Sequence, residues 1–413
     1  MANRAFSLSD QLLFSATNFV LTLALARIYS TSTFGIYGLA SSFALLASGF
    51  QKSVYVIPLS LGSRFRIEKT RRVRTGEHII FLIAMEALVC ALALGALLLK
   101  LDTVTTQTCI TLIGCCAIFL QADFDRALLI KLRSPAAAAI ASLLYFFCVA
   151  ISIAIAHYCS LPFFAFIGVF AGLCIVKALI VMRMTDAFPN FGLGRTLLRR
   201  NMRHFGIPAL VSTGIYAGMN QVPVTILAAV SGVKEVAIYV AMRSLAQPFL
   251  VIIRSLDAND KNRFIEHAEG TYEGMRAVLW KTLLLYVSIG IAATLGVMLF
   301  TNQITHLAFN DAFPPRRDLV GGWLIYCTLL AASMPIQSLT YVLHRQQRTV
   351  FWNLAGALCG LVCAVALSPS MGAFGTLIAM IAGMGATVIG GLFAVRDVAF
   401  GSQRGIVTVR SIR

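Results

Sequence analysis

The chain has 413 residues, 58% of them hydrophobic and only 12% charged, with a mean hydropathy of +0.82 and a formal net charge of +17. A soluble domain carries roughly a quarter charged residues, so an ordinary water-soluble enzyme is excluded. The basic residues lie in short polar stretches between apolar runs, which ties them to lipid headgroups and membrane topology rather than to nucleic acid.

A bilayer core needs about 20 apolar residues per helical crossing. Such runs are predicted at 9–29, 34–60, 78–99, 105–124, 137–157 and 161–182 in the first half. The second half gives 206–229, 235–256, 280–300, 320–342, 350–368 and 372–395. Within hydrocarbon every backbone amide must be paired inside its own segment, so the runs are helices. The expectation is an all-α polytopic membrane protein with about twelve transmembrane helices. The stretch MANRAFSLSDQ before the first run is short and polar, and the run itself is long enough to span and stay, so no cleavable signal peptide is expected.

Lys and Arg set the orientation. With the N-terminus inside, 25 of the 34 fall on the cytoplasmic side, among them Arg64, Arg66, Lys69, Arg71, Arg72 and Arg74. Only Lys100, Lys234, Arg316 and Arg317 fall in external loops. An even number of crossings also brings the basic tail 396–413 inside. The stretch RTLLRRNMRHF at 195–205 reads equally well as an in-plane amphipathic helix and as an ordinary basic loop.

An internal repeat divides the chain. At an offset of 202 residues, 8–53 faces 210–255 without a gap, with 10 of 46 positions identical. The informative matches are polar: Asn18 on Asn220, Tyr37 on Tyr239, Ser42 on Ser244, Ser53 on Ser255, and Lys52 on Arg254. Both halves start inside, so the repeat is parallel. Two six-helix lobes, 1–194 and 206–395 with 195–205 as cytoplasmic linker, would be related by a pseudo-two-fold axis along the membrane normal. Substrate is expected where such lobes meet.

Ionisable groups inside the runs are functional candidates by default. They are Arg27, Lys52, Glu86, Lys177, Arg243 and Arg254: five bases and one acid, which points to an anionic cargo. Arg243 falls near mid-membrane. Lys52 and Arg254, as repeat partners near the cytoplasmic edge, could present a cationic pair to a phosphate, or could snorkel. Asn18 and Asn220 face a cavity or join helices. Glu86 is a proton or ion relay, or pairs with a basic neighbour. Pro208 and Pro223 bracket the seventh run, which suits a helix that bends. The ten cysteines show no metal-ligand spacing and read as small packing residues. No P-loop, Ser/His/Asp set or metal site is evident, and no cofactor is expected.

Residues 7–40, SLSDQLLFSATNFVLTLALARIYSTSTFGIYGLA, resemble the first hairpin of bacterial polysaccharide repeat-unit flippases. These belong to the multidrug/oligosaccharidyl-lipid/polysaccharide exporter superfamily. The matching pieces are Asp10-Gln11, Ser15, Asn18-Phe19, Ala26-Arg27 and Phe34-Gly35-x-Tyr37. The segments 51–62, with Pro58 and Gly62, and 122–135, with Asp123-Phe124, Arg126, Arg133 and Pro135, continue the likeness. Family members often carry Leu-Gly where Tyr29-Ser30 stands, and an acidic pair where Ser32-Thr33 stands.

The resemblance implies a monomeric, non-enzymatic transporter in a bacterial inner membrane, working by alternating access. Its cargo would be an undecaprenyl-pyrophosphate-linked oligosaccharide for O-antigen or exopolysaccharide, delivered to polymerase and export machinery. Arg243, Lys52, Arg254, Asn18, Asn220 and Arg27 would line the substrate path. The alternatives are a multidrug or toxin cation antiporter of the same superfamily, which needs cavity carboxylates, and a membrane glycosyltransferase, which needs a larger external loop than 301–319. The orientation is open to direct test: a reporter fused after Arg133 is expected to read cytoplasmic, and an external signal there would reverse it.

Overall fold

The computed structural model describes residues 2–56, 59, 64–99, 102–203, 207–268, 272–310, 312–343 and 346–400. Contacts divide the chain into two compact units, Met1–Gly214 and Ile215–Arg413. Among the described residues every regular element is helical.

The first unit begins with α1 (Ala2–Ile28) and α2 (Thr31–Gln51), which runs into a π-helical turn at Lys52–Val56. It continues with α3 (Arg64–Leu98), α4 (Thr103–Leu132), α5 (Pro135–Tyr158), α6 (Phe163–Thr185) and the short α7 (Phe191–Asn201). Connections are tight because side chains close the helix ends. Ser30, Asp102, Ser134 and Asn190 each accept a backbone N–H of the helix they open, and Pro135 occupies the first turn of α5. Helix α1 packs on α5, while α2 and α3 both pack on α4.

The second unit holds α8 (Ile207–Asn220), which straddles the division, then α9 (Val222–Ser231), α10 (Val233–Ala268), α11 (Tyr272–Leu299), α12 (Thr301–Phe309), α13 (Arg317–Val342), α14 (Gln346–Ala394) and α15 (Arg396–Ala399). Here α10 and α11 both pack on α13, as α2 and α3 do on α4. The same packing is thus used twice.

Ten helices among the described residues are long and apolar enough to cross a membrane. The last of them, Arg348–Ala394, is two crossings, because the backbone turns at Gly372 (φ 56°, ψ −133°) just after Pro369. Helices α8 and α9, interrupted at Gln221, together make one more. Twelve crossings result, six before the short α7 and six after it.

Glycine supplies the positive φ at Gly372 without steric cost. The amide freed by the break, Ala373 N–H, donates to the Glu235 carboxylate at 3.2 Å, so an acid at the start of α10 caps the second half of α14.

Helix α7 covers most of the expected linker 195–205. It is a helix that packs on protein. One face sits on α3, where Asn190 N–H donates to the Arg72 carbonyl at 2.9 Å and the Asn201 amide donates to Glu77 at 2.5 Å. Nearby, Arg71 and Arg72 clamp Asp186 just past α6, at 2.5 and 2.8 Å. Their hydrogen bonds hold that exposed carboxyl below its ordinary range.

The two halves of α14 approach backbone to backbone. A Cβ on Gly383 would stand 2.7 Å from the Gly356 carbonyl oxygen, and one on Gly360 3.3 Å from that of Ala379. Small residues permit such contact where lipid offers no hydrophobic drive. Gly383→Leu is therefore expected to destabilise the second unit by about 1–3 kcal/mol through overpacking. Thermal unfolding of the detergent-solubilised protein would register this, and an unchanged transition would contradict the close approach.

Candidate functional site

In the first unit, three buried or half-buried aspartates are matched with bases. Asp10 of α1 is 2% exposed and takes a two-pronged ion pair from Arg126 of α4, at 3.2 and 2.6 Å. Ser142 of α5 donates to the same carboxylate at 2.5 Å, and the Arg126 guanidinium lies 4.2 Å from the Phe14 ring centre. Three helices are thereby joined at one carboxylate.

Two residues apart on α4, and so on different faces of it, are Asp123 and Asp125, whose Asp-x-Asp spacing alone resembles a metal-binding motif. Neither is free to hold a metal. Asp123 accepts from Ser48 at 2.6 Å and pairs with Lys52 at 3.0 Å. Asp125 pairs with Lys177 of α6 at 2.9 Å, with both side chains almost fully buried. A relay continues from there: Gln121 donates to Asp125 at 2.7 Å, His78 meets Gln121 at 3.0 Å, and Gln51 meets His78 at 3.2 Å. His78 also stacks on Phe124 at 3.9 Å. This network ties α2, α3, α4 and α6 together. Among the described residues no group of three or more His, Cys, Asp or Glu could hold a metal ion.

The expected surplus of buried bases needs correction here. Lys52 and Lys177 each face an aspartate that the sequence places only at a helix end. Lys52, with 48% of its side chain exposed, stands as half of an ion pair with Asp123. Its repeat partner Arg254 lies on α10, but its side chain is outside the described residues. Glu86 corrects a second expectation. Instead of pairing with a base, both its carboxylate oxygens are buried without a hydrogen-bond partner. Its electrostatic neighbours on α4 are Cys115 and Cys116.

The repeated asparagines do equivalent work. Asn18 accepts from Tyr145 at 3.1 Å, and Asn220 accepts from Tyr326. Both amides therefore join helices, but the partner helix differs. It is the fifth helix of the first unit, α5, and the fourth crossing of the second, α13.

Around Asn220 the second unit holds less compensated polar chemistry. Arg243 sits about 15 Å along α10, near the middle of a 21-residue crossing, and is half-buried. Its guanidinium lies 5.4 Å from the Trp323 ring centre, a cation–π contact, and it forms no ion pair with a carboxylate among the described residues. Trp323 packs in turn on Tyr239 and Tyr326. At the break between α8 and α9, Gln221 is 2% exposed, and both its amide atoms lack a partner, as does the Trp323 indole N–H. Buried polar groups are nearly always satisfied, so unsatisfied ones at a helix break mark a candidate binding site. Sequence reading identified Arg243 and Asn220 but missed Gln221, Trp323 and Tyr326. The adjacent Pro223 was the available signal for the break.

Arg27, the remaining sequence candidate, belongs to the first unit, exposed in the last turn of α1 and lining a cleft against α5.

The chain matches no protein-family profile and no curated protein. Its fold has solved counterparts. One is an inward-facing multidrug-resistance MATE family transporter of the MOP superfamily: TM-score 0.67 and 14% identity, over 96% of this chain and 98% of that one. A second is a MOP superfamily transporter from Pyrococcus furiosus described as having a binding pocket of reverse polarity: TM-score 0.57 and 13% identity, over 97% and 95%. A third is the eukaryotic MATE transporter AtDTX14: TM-score 0.60 and 13% identity, over 96% and 93%. The fold is that of MATE transporters of the MOP superfamily.

The buried pair Lys177–Asp125 gives a stability test. Lys177→Met leaves a carboxylate buried without its cation and is expected to cost about 3–5 kcal/mol, whereas Lys177→Met with Asp125→Asn recovers much of that loss. Equal melting of the single and double variants would contradict the coupling.

Proposed function

We propose that this protein is a membrane exporter built on the MOP superfamily fold, moving an amphipathic cargo without breaking a bond. The fold counterparts favour a multidrug or toxin exporter, because those solved structures are mostly multidrug transporters. The observation that carries this reading is Glu86, a carboxyl whose two oxygens are buried without a partner. Leaving such a group charged in an apolar surrounding is costly, so it takes up a proton or a cation. That is the chemistry an ion-coupled exporter needs.

A second reading, translocation of an undecaprenyl-pyrophosphate-linked oligosaccharide across a bacterial inner membrane, draws on different observations. Residues 7–62 resemble the repeat-unit flippases. Arg243, with the unsatisfied Gln221 amide and Trp323 indole N–H in the same unit, supplies the cation and donors that a pyrophosphate or sugar would use. Lys52 contributes less to this reading than its sequence position implies, since Asp123 neutralises it.

The two readings separate in one experiment. In everted vesicles from cells expressing the protein, a proton gradient is expected to drive uptake of a cationic dye, and Glu86→Gln is expected to bring uptake to background with normal membrane insertion. Wild-type uptake in Glu86→Gln would sink the coupling role. An absence of dye transport together with loss of surface glycan in a deletion strain, restored by wild type but not by Arg243→Ala, would select the second reading.

A further inference from the structure

We propose that α7 is an interfacial helix that docks on the anionic headgroups of the lipid leaflet beside it, through an apolar edge led by Phe191 and two unpaired cations, Arg195 and Arg199. Protein contacts fix the helix in place just after α6 ends at Thr185. Gly194 rests on α3, where a Cβ would stand 2.7 Å from the Glu77 backbone nitrogen, and Asn201 is buried against the Glu77 carboxylate. The meeting points on α3 are Arg72, Gly76 and Glu77. A crossing uses about 20 residues, which counted back from Leu98 reaches about Ile79. Helix α7 therefore rests just outside the hydrocarbon, at the depth of the headgroups.

The surface that α3 leaves uncovered is amphipathic. Phe191, Leu198 and the C-cap Met202 recur at spacings of seven and four, which sets them along one strip of a helix with 3.6 residues per turn. Phe191 is 51% exposed, and the other two are half-buried. Arg195 and Arg199, four residues apart, run beside that strip, and both are exposed. An arginine keeps its charge throughout the physiological pH range. Neither of these two has an ion pair, side-chain hydrogen bond or ring contact among the described residues. Neighbouring bases are already engaged: Arg71 and Arg72 hold Asp186, Arg74 pairs with Glu77, and Arg200 acts on the same Glu77 carboxylate. No acid occurs within α7 to offset the two free arginines.

An apolar edge bordered by unpaired cations, held at headgroup depth, matches a helix lying in the membrane surface. Its apolar side enters the boundary of the acyl region while its cations meet the phosphates. A free phosphate would satisfy the arginines and leave Phe191 in water. An uncharged bilayer would cover Phe191 and leave the arginines unanswered. With the N-terminus inside, the leaflet concerned is the cytoplasmic one.

The test uses the full chain in nanodiscs containing phosphatidylglycerol or phosphatidylcholine with the same acyl chains, each carrying a photoactivatable group near the glycerol. Its readout is lipid contact rather than transport, so it stands whichever cargo is moved. Phosphatidylglycerol is expected to label the segment 187–203 in about tenfold excess over phosphatidylcholine, the order expected of two unpaired cations at a membrane surface. Arg195→Gln with Arg199→Gln is expected to bring the two lipids close to parity there, in monodisperse protein whose labelling at 163–182 is unchanged. Phe191→Ser is expected to lower labelling of 187–203 by both lipids. Inorganic phosphate is expected to leave every yield as it is. Absence of label from 187–203, equal labelling by the two lipids, a wild-type ratio in the double glutamine variant, undiminished labelling in Phe191→Ser, or displacement of the label by inorganic phosphate would each overturn the proposal.

Discussion

The hydrocarbon core of a bilayer has no water to satisfy a polar group, and that constraint governs most of what this chain does. It makes every long segment a helix. It also forces each buried charge to find its counter-charge within the protein. Asp10 draws Arg126 from α4 and Ser142 from α5; Asp125 draws Lys177 from α6 and a chain of Gln121, His78 and Gln51. Helix association in lipid has no hydrophobic drive, so such contacts, together with glycine-mediated approach in α14, are what specify which helices touch.

The same constraint makes the exceptions informative. In the first unit the bases Lys52, Lys177 and Arg126 are answered by acids, whereas the carboxyl of Glu86 is not. In the second unit Arg243 rests on an indole, and Gln221 keeps both amide atoms unsatisfied at a break in the helix path. A satisfied network resists change, since rearranging it exposes charge. An unsatisfied group is one whose partner can arrive from outside. The chain thus separates polar residues whose partners lie within the fold from polar residues that, among those described, keep atoms without a hydrogen-bond partner.

Repetition organises the fold but does not copy it. Tyr37 and Tyr239 are both buried, and Ser42 and Ser244 both turn back to backbone carbonyls of their own helices. Asn18 and Asn220 both accept from a tyrosine, yet those tyrosines come from the fifth helix in one unit and the fourth crossing in the other. Lys52 opens a π-helical turn and pairs with Asp123 of α4. The two units share a packing plan in which the second and third helices lean on the fourth, and they have diverged in polar chemistry.

The helical class, the number of crossings and the two-fold repetition follow from sequence alone, because apolar run length and a 202-residue offset are local, one-dimensional properties. The list of intramembrane ionisable residues follows in the same way. Which of them are spent on structure does not. Asp123 and Asp125 read as a helix-end motif, and Lys52 and Lys177 as unanswered bases. Only the meeting of α2 and α6 with α4 turns them into pairs. Glu86 reads either as a proton or ion relay or as half of an ordinary pair, and only the packing of α3 leaves both its oxygens buried without a hydrogen-bond partner. Pairing depends on contacts between residues far apart in the chain, which hydropathy and spacing do not encode. That is why the fold was legible in the sequence and the division between structural and available charges was decided by the tertiary structure.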